Sequence, residues 1–405
     1  FVDQMLDLYR AGILRRRVYD SLPLSRLIAQ GQCGDRFDAR LLEDLPHAGL
    51  GPRLDAVQFE HLRSFGVFRQ DCEWRDGRIR APDSAWIEAD LADPRARAAL
   101  AEHCLGRELR NGHVLQAGFF LGPRGFYAAL RDMPERELRQ FDMRGVGWIN
   151  QLYGPDTELR LLQRRDARFV NTTMMVTLLG AAVSDTLEDG RVVSGVGGQY
   201  NFVAMAHALP GARSVLCLRA TRTKDGTTRS NLVWSHGNTT IPRHLRDLVV
   251  TEYGIADLRG RTDGECVAAL LNVADSRFQE GLLSQAKAAR KLPPDYAIPP
   301  AFRQNLPERL HRALGSHRRA GHFSDYPFGT DLTTEEIALG RALRHLREAT
   351  ASRWGRLRTV AAASFGREDD ADLAALRRMG LEAPASRHER LLRSLVAWAL
   401  QQTRH

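Results

Sequence analysis

Apolar residues recur at helical spacing along residues 1–13 (FVDQMLDLYRAGI), with Asp3 and Asp7 on the polar side, and the same period returns over 55–65. Inside CEWRDGRIR, the Asp76-Gly77 step predicts a turn between two short strand-like runs. Asp93-Pro94 predicts a helix start, with an N-cap followed by proline at the first helical position. From about residue 111 the texture changes. Strand-like runs at 114–121, 168–176, 191–193, 214–218, 231–234 and 248–251 alternate with helical ones at 124–131, 156–164, 200–209 and 263–273. Such alternation predicts an α/β domain with a largely parallel or mixed sheet.

After Lys291 the segment LPPDYAIPPAF holds four prolines and reads as an extended strap rather than a helix. Beyond Phe328 the chain becomes rich in Ala, Leu and Arg, with helical patterns at 333–348, 372–379 and 387–402. No internal repeat and no low-complexity tract interrupts this order.

A chain of 405 residues suggests two or three domains at roughly 100–200 residues each, and 43% hydrophobic content supplies their cores. Charged residues at 26% exclude collagen-like, mucin-like and wholly disordered classes. No run of 18 apolar residues occurs, because the best candidate, 169–183, is broken by Asn171, Thr172, Thr173 and Thr177, so no membrane span is expected. The acidic opening helix fits neither an initiator methionine nor a signal peptide, and the chain is expected to begin in mid-fold. Five cysteines at 33, 72, 104, 217 and 266 make no CxxC pair and no even disulfide framework, which points to a reducing cytoplasm.

The formal net charge is +9, yet basic residues are dispersed among 49 acids, unlike the concentrated stripe of a nucleic-acid surface. Among 58 basic residues only Lys224, Lys287 and Lys291 are lysines. A lysine kept where arginine is the default invites a reason for the compact ammonium.

The sharpest local feature is the apolar pair Val192-Val193 running into Ser194-Gly195-Val196-Gly197-Gly198 and then a helix from about Tyr200. Glycines let backbone N–H groups approach a ligand, and at a helix N-terminus those groups point at an anion or a developing oxyanion. Tyr200 stands where the third glycine of a dinucleotide fingerprint belongs, and no GK[ST] follows to make a P-loop. A tight strand-to-helix turn with no ligand explains the pattern equally well. Lys224, in the turn TRTKDG, lies beyond the end of a predicted strand, where open α/β sheets bind ligands; a solvated turn lysine is the plainer alternative. The 13 histidines show no metal spacing, so no metal is assigned, and His236 reads as structural. The absence of a G-x-S-x-G elbow disfavours a serine hydrolase.

GVGGQYNF, TKDG, VVTEYGIADLRGRT (249–262) and LLNVADSRFQE (270–280) together resemble the C-terminal domain of the acetyl-CoA hydrolase/transferase family, the family I CoA-transferases. GFFLGPRGFYAALRDMP (118–134), WIN (148–150) and RFVNT (168–172) are similar to earlier landmarks of that domain. The resemblance implies an α/β, CoA-transferase-like open sheet flanked by helices. It divides the chain into the start of the domain at 1–19, a mostly helical insertion at 20–110, the α/β domain proper at 111–330 and a helical tail at 331–405.

The resemblance also implies a chemistry. A glutamate carboxylate attacks an acyl-CoA thioester, the released thiolate then forms a glutamyl-CoA thioester, and an acceptor carboxylate or water ends the cycle. In the family that glutamate directly precedes a helix like residues 1–14, so the nucleophile is expected upstream of Phe1 and no residue of this sequence is named for it. An N-terminal CoA-transferase domain, in cis or in trans, is the implied partner, together with acyl-CoA, a short-chain carboxylate such as acetate, and a further copy of the chain. Coenzyme A is the implied substrate. Residue by residue, Gly198 and Lys224 fall on CoA-contacting positions, as more loosely do Ser194 and Met174. Asn150 matches an asparagine lining the acyl pocket, where with the N–H groups of Gly197 and Gly198 it would face a developing oxyanion. A buried turn asparagine satisfying backbone is the alternative for Asn150. Glu252 in TEYG is expected to fix its loop rather than serve as nucleophile. A non-catalytic CoA-binding or interaction module that lost the nucleophile-bearing half is the rival reading of the whole.

Overall fold

The computed structural model describes residues 1–224, 226–326, 329–364 and 372–404. The chain forms two compact units: Phe1–Gly122, Ala128–Thr223 and Thr228–His322 make the first, and Pro123–Tyr127, Lys224–Thr227 and Phe323–His405 the second.

The first unit holds two large cores and a smaller cluster of Leu152, Met205, Leu209 and Ala212. The earlier core gathers Tyr19, Phe59, Leu62, Phe68, Ile79 and Leu100 between short helices and a small meander. Local signals account for these elements. Asp55 caps the helix Ala56–Ser64 in a reciprocal box with Gln58, and the Asp93 carboxylate accepts from the Arg95 N–H at the start of the helix Pro94–His103. Asp76 (φ 48°) and Gly77 (φ 79°) take the left-handed turn that joins Glu73–Arg75 to Arg78–Arg80, and Ile87–Glu88 completes the meander.

The later core is built on a four-stranded sheet. Its order is Gly254–Asp257, Leu248–Thr251, Arg213–Cys217, Arg168–Thr172, with the last three strands parallel and the first antiparallel to its neighbour. A second sheet places Met175–Thr177 between Leu232–Val233 and Ala182–Val183. Leu216, Val249, Val267, Leu270 and Leu271 fill the space between sheet and helices. The helix Asp263–Asn272 begins on a Thr262/Glu265 capping box. This mixed α/β architecture with helices on open sheets is the fold class expected from the sequence.

Two local expectations are corrected. The run 168–176 is two strands in different sheets, because at Thr173 the side chain turns inward and donates to the Val183 carbonyl at 2.8 Å. Residues 191–193 join no sheet, and only an isolated bridge links Val192 to Thr186. Val192 is 69% exposed, so these apolar residues have no face to bury and nothing to anchor a strand. The glycine turn is therefore entered from an exposed loop.

The second unit has its own core of Leu339, Leu376, Leu381, Val396 and Leu400. Leu381 follows the helix Leu373–Arg378, and the others come from that helix and from Thr334–Ala349 and Arg387–Gln402; the helix Arg353–Ser364 packs beside them through Thr359 and Ala363. Among the described residues no helix is long and apolar enough to cross a membrane.

Candidate functional site

The helix Gln199–Ala208 starts at Gly198, which caps it without any side-chain hydrogen bond. The first N–H groups of the helix thus have no side-chain acceptor at the cap, the arrangement that leaves donors for a ligand. Gln199 turns inward: its Nε2 donates to the Thr172 carbonyl at 2.8 Å, while its Oε1 is buried without a partner. The Nδ2 of the neighbouring Asn171 is likewise buried and unpaired. Phe202, one turn along, stacks on Phe169 of the sheet with centroids 6.0 Å apart.

Against this helix start lies Asn150. A Cβ built on Gly198 would sit 2.9 Å from Asn150 Nδ2 and 2.9 Å from Phe202 Cε2, so the asparagine amide packs into the space that a side chain at 198 would need. Asn150 closes the short helix Val146–Asn150, whose seat is an array of arginines. The guanidiniums of Arg144 (4.2 Å) and Arg160 (4.6 Å) both lie over the Trp148 ring, which donates from Nε1 to Gln116 at 3.2 Å. Arg164 then clamps the segment. It donates to the carbonyls of Trp148 (2.6 Å) and Gln151 (3.1 Å), on either side of Asn150, and to the Met205 sulfur of the Gln199–Ala208 helix (3.0 Å). Burial, reinforced by the like charge of Arg160, pushes the Arg164 guanidinium down to about 10.

The other expected residues are placed as follows. Gly197 adopts φ 61°, with nothing within 4 Å of where a Cβ would stand, so its glycine answers to backbone conformation. Ser194 is exposed and its hydroxyl donates to the adjacent Gly195 carbonyl. Met174 is half-buried, with its N–H on the Val183 carbonyl. Lys224 is exposed at the end of the strand Thr221–Lys224, belongs to the second unit, and is followed by Asp225, which lies outside the described residues. The Glu252 carboxylate accepts the Ala220 N–H at 2.8 Å and so ties two loops together.

Arg164 and Phe202 escaped the sequence reading because nothing local distinguishes one arginine or phenylalanine from another. A third feature also went unread: Asp20, His113 and Asp142 converge, with His113 Nε2 3.7 and 4.0 Å from the two carboxylates. The Arg144 guanidinium donates to both carboxylates and already supplies the positive charge between them.

Residues 122–286 match the model of the acetyl-CoA hydrolase/transferase C-terminal domain. Over these residues the chain is similar to the acetyl-CoA hydrolase/transferase family. The chain is 28% identical over 170 residues to a 4-hydroxybutyrate coenzyme A transferase of Clostridium kluyveri, covering 42% of this chain and 37% of that protein. It is 32% identical over 125 residues to a butyryl-CoA:acetate CoA-transferase of Anaerostipes caccae, covering 30% and 28%. RipA from Yersinia pestis, a solved structure, shares 28% identity over 43% of this chain and 36% of that one, with a TM-score of 0.36. The matched stretch thus spans little more than a third of the first of these relatives. Within the family segment lie Asn150, Met174, Ser194, Gly197, Gly198 and Lys224.

Proposed function

We propose that residues 1–405 form the C-terminal half of an acyl-CoA hydrolase or CoA-transferase, more readily a transferase, that moves CoA between short carboxylic acids such as acetate. The observation that carries the reading is the contact of Asn150 with Gly198 at an uncapped helix N-terminus inside the family segment. The nucleophile is a glutamate outside these residues, supplied in cis or in trans by an N-terminal CoA-transferase domain. Its carboxylate attacks the thioester carbonyl, forming an acyl-glutamyl anhydride and releasing CoA thiolate. The thiolate attacks the glutamyl carbonyl, expelling the acyl carboxylate and leaving a glutamyl-CoA thioester, which an acceptor carboxylate or water then opens. In both additions negative charge develops on a carbonyl oxygen, and the Asn150 amide with the N–H groups of Gly197 and Gly198 stabilises it. Gly198, Met174, Ser194 and Lys224 each contact CoA, Lys224 as a point charge toward a phosphate or the pantetheine.

On this reading the segment 20–110 is an insertion and 331–405 a tail on a CoA-transferase domain, and the enzyme works in the cytoplasm in acetate metabolism. Residues 1–405 alone, lacking the nucleophile, turn over no acyl-CoA. The test uses the complete enzyme: Asn150→Ala lowers kcat by roughly 10²–10³ with a smaller change in KM, because an oxyanion donor acts mainly in the transition state. An unchanged kcat in a variant of normal melting temperature returns Asn150 to a structural role. Failure to trap a glutamyl-CoA thioester in the active complete enzyme removes the covalent route, and a complete protein that binds CoA without turnover establishes a non-catalytic module.

A further inference from the structure

At the far end of the Gln199–Ala208 helix, three segments line a cavity of about 450 Å³ that is open to solvent. They are the last turn of that helix, the 3-10 turn Arg243–Leu245, and the turn that follows the strand Gly254–Asp257. Its walls are His207, Arg243, His244, Arg246, Arg259 and Arg261, so every ionisable side chain lining it is basic. Gly260, at φ 71°, has no atom within 4 Å of where a Cβ would stand, which leaves that side open. The volume lies within the range of about 300–1,000 Å³ typical of small-ligand sites.

The carboxylates that balance these arginines stand behind the walls. Asp247 accepts from Arg213 and Arg259, each at 2.7 Å, and Asp257 accepts from Arg213 at 2.7 Å. Asp263 accepts from Arg243 (3.1 Å), Arg246 (3.1 Å) and Lys291 (2.8 Å). Glu265 Oε1 is 3.8 Å from Arg261, while its Oε2 accepts from the N–H and hydroxyl of Thr262. Six cations, Arg213, Arg243, Arg246, Arg259, Arg261 and Lys291, therefore meet four carboxylates, which leaves two positive charges unbalanced beside the cavity. Burial, with the Arg259 charge second, holds the His207 imidazole below its ordinary range, so the excess comes from guanidinium groups and persists at neutral pH.

Donors also remain unused. Arg259 Nε is buried without a hydrogen-bond partner. Among the described residues neither the His244 ring nor the Arg261 guanidinium makes a hydrogen bond, and both residues are exposed. One force opposes an anion here, since the carboxyl end of a helix carries partial negative charge. Arg259 offsets it by donating to the carbonyls of Ala206 (3.2 Å) and Ala212 (2.7 Å).

We propose that this cavity binds a doubly charged phosphate group, free or carried on a small phosphate ester, at a site separate from the Asn150–Gly198 contact. Two unbalanced charges match a phosphate dianion, and guanidinium forks suit its paired oxygens better than they suit a halide. The two places lie at opposite ends of one ten-residue helix, roughly 15 Å apart along its axis.

Calorimetric titration of the 1–405 chain with inorganic phosphate tests the site in chloride-poor buffer, followed by glycerol phosphate. Saturable binding is expected, weakened at least about tenfold in Arg243→Gln/Arg261→Gln and unaffected by Asn150→Ala. The exposed single variant Arg261→Gln, followed by phosphorus NMR, repeats the measurement should the double variant melt early. Displacement of bound phosphate by CoA but not by 3′-dephospho-CoA would identify the source as the coenzyme's own 3′-phosphate, whereas displacement by glycerol phosphate alone would identify a separate ester. No saturable heat at millimolar phosphate, or equal affinity in the wild type and the arginine variants, overturns the proposal. Because the readout is binding and not turnover, the CoA-transfer reading stands or falls independently.

Discussion

Replacing Gly198 by alanine tests the contact on which the candidate site rests. Gly198 has φ −90° and ψ 2°, a backbone conformation open to L-residues, so the substitution introduces no left-handed strain. The obstacle is space. The new methyl would stand 2.9 Å from both Asn150 Nδ2 and Phe202 Cε2, well inside the ~3.5–4.0 Å optimum of non-bonded carbon contacts. Phe202 is held by its stack on Phe169, so the Asn150 amide has to yield against the Arg164 clamp. Overpacking of this kind costs about 1–3 kcal/mol, and the loss of glycine's freedom in the unfolded chain returns about 0.4–1 kcal/mol. A net destabilisation of about 0.5–2 kcal/mol is expected in urea unfolding followed by circular dichroism, taken from the transition of the first unit. Since Asn150→Ala removes half of the clash, a double-mutant cycle between the two positions should show coupling of about 0.5–1.5 kcal/mol. Gly197→Ala is the control. It costs about 1–2 kcal/mol through its φ of 61° but meets nothing within 4 Å, so it should not couple to Asn150. Wild-type stability for Gly198→Ala without coupling, or equal coupling for Gly197→Ala, would refute the argument.

Two further outcomes follow from the same geometry. Arg164→Met should remove the donors to Trp148, Gln151 and Met205 and lower stability by about 1–3 kcal/mol, the desolvated guanidinium limiting the loss; in the complete enzyme its effect on kcat should be less than additive with that of Asn150→Ala, and strict additivity would show that Arg164 does not act through Asn150. The hydrogen bond from Lys291, then that from Arg246, holds the Asp263 carboxyl at about 2, below the roughly 3.9 of an unfolded chain, so its stabilisation is complete above about pH 4 and is lost as pH falls toward 2. Asp263→Asn should lower the melting temperature at pH 6 and flatten its decline between about pH 4 and 2, and a wild-type slope in the variant would discount the pairing.

Local chemistry was legible in the sequence wherever cause and effect lie within a few residues. The Asp93-Pro94 helix start, the Asp76-Gly77 turn and the glycines leading into the Gln199–Ala208 helix all depend on near neighbours, and each stands where the pattern placed it. Burial decided where the same reasoning failed. Val192 and Val193 have strand-forming side chains but no partner surface, and the apolar run through 168–176 changes sheet at Thr173 because its hydroxyl finds an acceptor on a different strand. The meeting of Asn150 with Gly198, the Arg164 clamp and the basic cavity around Arg259 were set by the tertiary structure alone. Each joins segments that are distant in sequence, and their proximity follows from sheet register and from the packing of helices across it, quantities that no short window of residues contains.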